Sequence, residues 1–244
     1  MLDLIGTTVL TAAVALDLNA TVANLPMSAA QKLAAVTLAG LWIGAAVAVA
    51  ATGILADTTT PVPVIGVVVA LPLVVAGLGA LGSARVRAGL LALPLRLLVG
   101  LNIMRAIGAF FLLLALQNRL SGPFPQSAGW GDVITGLAAI PLTLAIIRDP
   151  HGENLKAYRG WLLAWNVFGA LDLIAALTLG VMSAPGSALQ AFGGTVGSTA
   201  VVTLPWSTIP TVLVPFYLIL HGIIFARLEQ AGRPAVAQSR MALS

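Results

Sequence analysis

PVPVIGVVVALPLVVAGLGALG, residues 61–82, runs for 22 residues without one ionisable side chain. A helix rising 1.5 Å per residue needs about 20 apolar residues to cross a hydrocarbon layer of about 30 Å, whereas a buried helix of a soluble domain rarely sustains such a run. This stretch therefore reads as a membrane span, and it is not alone. Residues 33–55, 90–116, 128–147, 160–182 and 204–226 form five more. Ahead of them, residues 4–25 are apolar but diluted by Thr7, Thr8, Thr11, Asp17 and Asn19, and close at Pro26. That segment fits a span, an interfacial helix or a cavity lining, with a seventh span preferred. A cleaved signal peptide fits poorly, because no basic region opens the chain and Asp3 stands near its start.

Composition agrees. With 59% hydrophobic and 8% charged residues and a mean hydropathy of +1.02, the chain departs from soluble domains, which carry about a quarter charged residues. The expected fold is all-α, a polytopic transmembrane bundle of six or seven spans in one domain, with a short basic tail at 227–244. Its main partner is the lipid bilayer. The absence of cysteine excludes disulfides and thiolate metal sites, two histidines argue against a multi-histidine site within one chain, and the sequence leaves open whether a cofactor is held. The connecting loops are too short to carry a basic nucleic-acid-binding face.

Lys and Arg accumulate on the cytoplasmic side of membrane proteins. Lys32, Arg85, Arg87, Arg148, Lys156, Arg159, Arg227, Arg233 and Arg240 all fall on one side of the expected spans, so the carboxyl terminus is expected in the cytoplasm. The opposite loops hold Asp57 and Arg119 and a Gly- and Ser-rich run over 183–198. Trp130 and Trp206 are placed at the outer interface and Trp161 at the inner one. Gly40 and Gly44, one turn apart, form a G-x-x-x-G pattern that allows close helix approach, within the chain or between two copies in a homo-oligomer.

Ionisable residues inside spans cost about 2.5–3.5 kcal/mol each on insertion scales, so something must offset them. Arg105 lies near the middle of the third clear span with Asn102 about one turn before it, and Asp172 lies near the middle of the fifth; these two opposite charges are the expected pair. Asp132 lies inside the outer end of the fourth span, His221 near the inner end of the last, and Arg96 close enough to the cytoplasmic face to snorkel. Helical rise orders the set from outer to inner as Asp132, Asp172 and Arg105, with Asn102, Asn166 and His221 at one level: a polar column spread across the membrane. Asn166 and Asp172 are about 120° apart around their helix and are not expected to face one axis, whereas Trp165, Gly169 and Asp172 share a face. Each feature also has a structural reading: a helix-terminal carboxylate for Asp132, an ion pair joining two helices for Arg105 and Asp172, and a carbonyl-bonded histidine for His221.

Gly129-Trp-Gly-Asp132-Val-Ile and Gly169-Ala-Leu-Asp172-Leu-Ile both set a glycine three residues before an aspartate, on helices of opposite direction, a hint of an inverted repeat. The stretch 122–136 with Ser127-Ala-Gly-Trp-Gly-Asp132, the run Trp165-Asn166-x-x-Gly169-x-x-Asp172-Leu173, and Pro210-x4-Pro215-x5-His221 resemble a group of small uncharacterised bacterial multi-pass membrane proteins. The resemblance covers the second half and carries no activity; it implies only one recurrent constellation of these positions. The expected location is a bacterial-type inner (plasma) membrane.

Three function classes stand. The first is binding or translocation of an ion, a proton or a small molecule at Asn102, Arg105, Asp132, Trp165, Asn166, Asp172 and His221. The second is an intramembrane enzyme acting on a lipid or isoprenoid, and the third a non-catalytic scaffold. Against the enzyme stand the missing His-x-x-x-His and Gly-x-Ser-x-Gly patterns and the lack of a sizeable aqueous domain. A retinal Schiff base is disfavoured because both lysines, Lys32 and Lys156, lie outside the spans. The first class is the preferred expectation.

Overall fold

The computed structural model describes residues 1–57, 63–149, 152–192, 194 and 196–232. Its helices are α1 (Leu2–Asn24), α2 (Ala29–Ala51), α3 (Val64–Gly82), α4 (Ala84–Leu91), α5 (Leu95–Leu101), α6 (Ala109–Leu116), α7 (Phe124–Arg148), α8 (Leu155–Met182) and α9 (Val214–Gly232). No strand occurs among the described residues. A 3-10 stretch, Asn102–Gly108, joins α5 to α6, and a π-turn, Ile209–Leu213, leads into α9. Counted with these joints, seven helices among the described residues are long and apolar enough to cross a membrane, α1 among them.

The ends of the elements follow local chemistry. Ser28 opens α2 with a reciprocal capping box: its hydroxyl accepts from Gln31 N at 3.3 Å and its own N–H donates to Gln31 Oε1 at 3.0 Å. The span expected over 90–116 begins at Leu95, because Pro94 biases Leu93 away from helical geometry, and residues Ala84–Leu91 form a separate short helix capped by Ser83. The helix expected from 204 starts only at Ile209, since Pro205 and Pro210 each lack an amide proton. Lys32, expected ahead of its span, lies in the first turn of α2, and residues 227–232 belong to α9. Pro61, Arg233, Arg240 and parts of the loop over 183–198 lie outside the described residues.

α5, α6, α7, α8 and α9 form the centre. α7 packs along the whole of α5, the 3-10 stretch and α6, and α8 packs between α7 and α9. α1 lies against α2, α5 and the π-turn, and α3 leans on α9. Glycines set the closeness: a Cβ on Gly136 of α7 would stand 2.8 Å from the backbone N of Ala106. Leu33, Leu38 and Leu41 on α2 and Val67, Leu71, Val75, Leu78 and Leu81 on α3 are exposed. Water-soluble monomers rarely display so continuous an apolar surface, and these helices have the length, hydropathy and outer face of a multi-pass membrane protein.

Asp3 at the start of α1 accepts from Arg119 Nη1 at 2.7 Å and from Trp206 Nε1 at 2.7 Å, tying the amino terminus to the loop between α6 and α7. Trp206 is fully buried, with Gly6 so close that a Cβ there would enter its ring at 2.4 Å. Trp130 and Trp161 are exposed. At the other end, Arg159 Nη2 donates to Leu228 O at 3.1 Å and Arg227 to the carbonyl of Leu93.

Candidate functional site

Arg105 sits at the centre of the 3-10 stretch, where the backbone is overwound, and is only 2% exposed. Its guanidinium is engaged at all three nitrogens. Nε donates to Asp132 Oδ1 of α7 at 2.7 Å, Nη2 to Asp172 Oδ2 of α8 at 2.6 Å, and Nη1 to Gly169 O at 2.9 Å, while also lying 3.0 Å from His221 Nε2 of α9. One side chain thus touches three other spans.

The tautomer of His221 follows from its neighbours. An arginine nitrogen has only protons to offer, so Nε2 accepts, and the ring proton is on Nδ1, 2.7 Å from Asn166 Oδ1. Asn166 in turn donates through Nδ2 to His221 O at 3.1 Å, clamping the residue from both ends. His221 is neutral in this arrangement. With both carboxylates ionised, one arginine and two carboxylates carry one negative charge in excess, which a single proton or monocation cancels.

Small residues make the assembly possible. A Cβ on Gly131 would fall 1.7 Å from Asp172 Oδ1, one on Gly108 2.3 Å from Asp132 Cβ, and one on Gly169 2.7 Å from the His221 ring. The glycines three residues before each aspartate, Gly129 and Gly169, both mark close approaches, yet Gly129 faces Leu112 and the Gly108 carbonyl, and only Gly169 belongs to the charged cluster. Trp165 stacks obliquely beside His221, ring centroids 5.5 Å apart, and donates from Nε1 to Thr135 O at 2.9 Å.

The expected column is therefore a compact knot. Asp132, Asp172 and His221 all meet Arg105 directly, because the long guanidinium reaches along the helix axes and erases the spacing that rise alone assigns. Asn166 and Asp172 both join it despite their angular separation: the cluster has two flanks, with Asp172 meeting Arg105 and Asn166 meeting His221. Asn102 does not join; it is buried, and its Nδ2 bonds to Leu98 O of its own helix at 2.9 Å. Arg96 is exposed.

One polar pair escaped the sequence reading. Asp17 of α1 is 2% exposed and accepts from Tyr217 OH of α9 at 2.7 Å. An aspartate inside an apolar helix is the same signal that singled out Asp172, but the polar residues around it drew attention to whether the segment spans, lies in the interface or lines a cavity. A void of about 20 Å³ lies between Tyr217, Asp132 and Arg105, room for one water.

A larger cavity of about 430 Å³ opens among α3, α7, α8 and the π-turn, and Asp132 belongs to its wall. Among the described residues no group of three or more His, Asp or Glu side chains is placed to hold a metal ion. What the cluster can do is hold a proton or a monocation beside its two carboxylates, or fix four helices together.

A family model described as a domain of unknown function, DUF8737, matches residues 62–229, and the chain belongs to that family. The match takes in the entire arginine cluster and leaves out α1 with Asp3 and Asp17. No curated protein and no solved structure matches the chain.

Proposed function

We propose that this chain is a multi-pass protein of a bacterial-type inner membrane, its carboxyl terminus cytoplasmic, which binds or translocates a proton or small cationic solute at the Arg105 cluster. The observation that carries this reading is that one guanidinium serves two carboxyl groups: Arg105 bonds both Asp132 and Asp172, with His221 accepting, so that with both carboxylates ionised one negative charge stays uncompensated among four spans. In a low-dielectric interior such an excess is costly, and one exchangeable positive charge removes it. The 3-10 stretch and the π-turn support movement at the same place, because irregular helix beside a buried site is where a span can rewind at small cost.

A rigid reading has its own support, since every nitrogen of Arg105 is partnered, as in a structural rivet. Thermal unfolding of the detergent-purified protein across protons, alkali cations and divalent cations separates the two. Binding is expected to raise the unfolding temperature with one of these ions, by an amount equivalent to about 2.7 kcal/mol at a hundredfold excess over Kd, and Asp132→Asn should abolish the response. Loss of stability in Asp132→Asn and Asp172→Asn without an ion response in the wild type would establish the rivet instead. Proton flux into dye-loaded liposomes then tells carriage from binding. On the outer face of α2, a Cβ at Gly40 or Gly44 meets nothing within 4 Å, which suits a contact between two copies.

A further inference from the structure

We propose that the 430 Å³ cavity beside the cluster binds a lipophilic monocation, an ammonium group carried on a compact apolar body. The proposal deepens the reading above and rests on it in one respect: the positive charge that the cluster lacks is brought by the ligand.

The cavity has the size of small-molecule pockets, about 300–1,000 Å³, and the composition that goes with them, an apolar wall with few polar groups. Val69 and Leu73 of α3, Phe124 of α7, Leu177 of α8 and Pro210 of the π-turn line it. Among the described residues two carboxylates stand in the wall, Asp132 and Asp57, and no Lys, Arg or His does. Asp57, just past the 3-10 turn Ile54–Ala56, is half-buried and has partners of its own. Asp132 differs in that it is 7% exposed, gives Oδ1 to Arg105, and has no hydrogen bond to Oδ2 among the described residues.

That combination selects charge and shape together. A buried carboxylate with a spare oxygen pairs with an ammonium and rejects an anion, while a neutral alcohol of the same shape leaves the excess charge uncompensated. Phe111 and Phe124, ring centroids 5.3 Å apart, add aromatic surface to the wall, which favours cations over neutral isosteres. Bulk water gives a hydrophilic cation no reason to enter such a wall; an amine with a hydrocarbon body gains from both ends.

The test is calorimetric titration of the detergent-purified full chain with 1-adamantylammonium, 1-adamantanol and 1-adamantanecarboxylate, three probes of one shape. The ammonium is expected to bind about tenfold or more tighter than the alcohol, and the carboxylate not at all at about 1 mM. Asp132→Asn should bring ammonium and alcohol to the same affinity. Ala176→Phe, which fills the cavity from α8 without touching Arg105, should weaken both by about tenfold or more. Should Asp132→Asn not fold, the wild-type ranking and Ala176→Phe still decide. Equal affinity of ammonium and alcohol in the wild type, a preference that survives Asp132→Asn, or affinities unmoved by Ala176→Phe would overturn the proposal. An ion-dependent unfolding temperature with no ammonium binding sinks the cavity site alone; ammonium binding without ion response or flux keeps the site and removes translocation.

Discussion

α3 and α9 are both continuous apolar helices, yet only 6% of the best window of α3 is buried inside the protein against 61% for the window that contains α9. α3 shows valine and leucine on every side and no ionisable group; α9 carries Tyr217 and His221 on the face it buries. Where lipid is the neighbour, any apolar side chain serves and pattern carries no information. Where other helices are the neighbours, dispersion alone discriminates little, so polar pairs and glycines decide who packs with whom.

The strongest way to break that contrast is to remove the charge that the centre shares. Arg105→Leu should destabilise the bundle by about 3–5 kcal/mol, read from equilibrium unfolding in mixed micelles, because two carboxylates lose their counter-ion. Replacing Asp132 and Asp172 by leucine in the same chain should restore most of that loss. If Arg105→Leu folds as well as wild type while Asp172→Leu does not, the two act independently and the cluster is not the organising feature.

A smaller effect separates the two classes of glycine. Gly131→Ala drives a methyl into Asp172 and should cost about 1–3 kcal/mol, whereas Gly77→Ala on the outer face of α3 meets nothing within 4 Å and should stay within about 0.5 kcal/mol of wild type. Similar losses for both would mean that helix flexibility, not proximity, governs these positions. Tyr217→Phe should cost about 0.6 kcal/mol, and no more than about 1.7, by deleting the bond to Asp17. Least of all, Gly40→Leu should leave unfolding unchanged and shift a dimer towards monomer in light scattering; a chain that is monomeric in both forms excludes α2 as the contact.

The spans were legible because hydropathy needs no partner to be read. Their ends were less so: the break at Pro94 and the late start at Ile209 are local proline effects inside runs that remain apolar throughout. Arg105 and Asp172 stood out as costly charges, but that Asp132 shares the same guanidinium depends on side-chain reach and on Gly108 and Gly131 admitting the carboxyls, neither of which is a property of spacing. Asn102 carried the same signal as Asn166 but turned its Nδ2 to its own helix, leaving Oδ1 buried without a partner among the described residues. Asp17 was hidden by its threonine neighbours, which return their hydroxyl protons to their own helix, as Thr7 does to Asp3 O at 2.8 Å.

The bond between Tyr217 and Asp17 joins residues 200 positions apart. At about 5–20 residues per second of synthesis, roughly 10–40 s separate the emergence of α1 from that of its partner on α9. Through that interval α1 carries a carboxyl group whose hydrogen-bond donor does not yet exist, and α9 delivers it. Assembly of the bundle therefore closes like a clasp, α1 and α9 locking together only once α9 has been made.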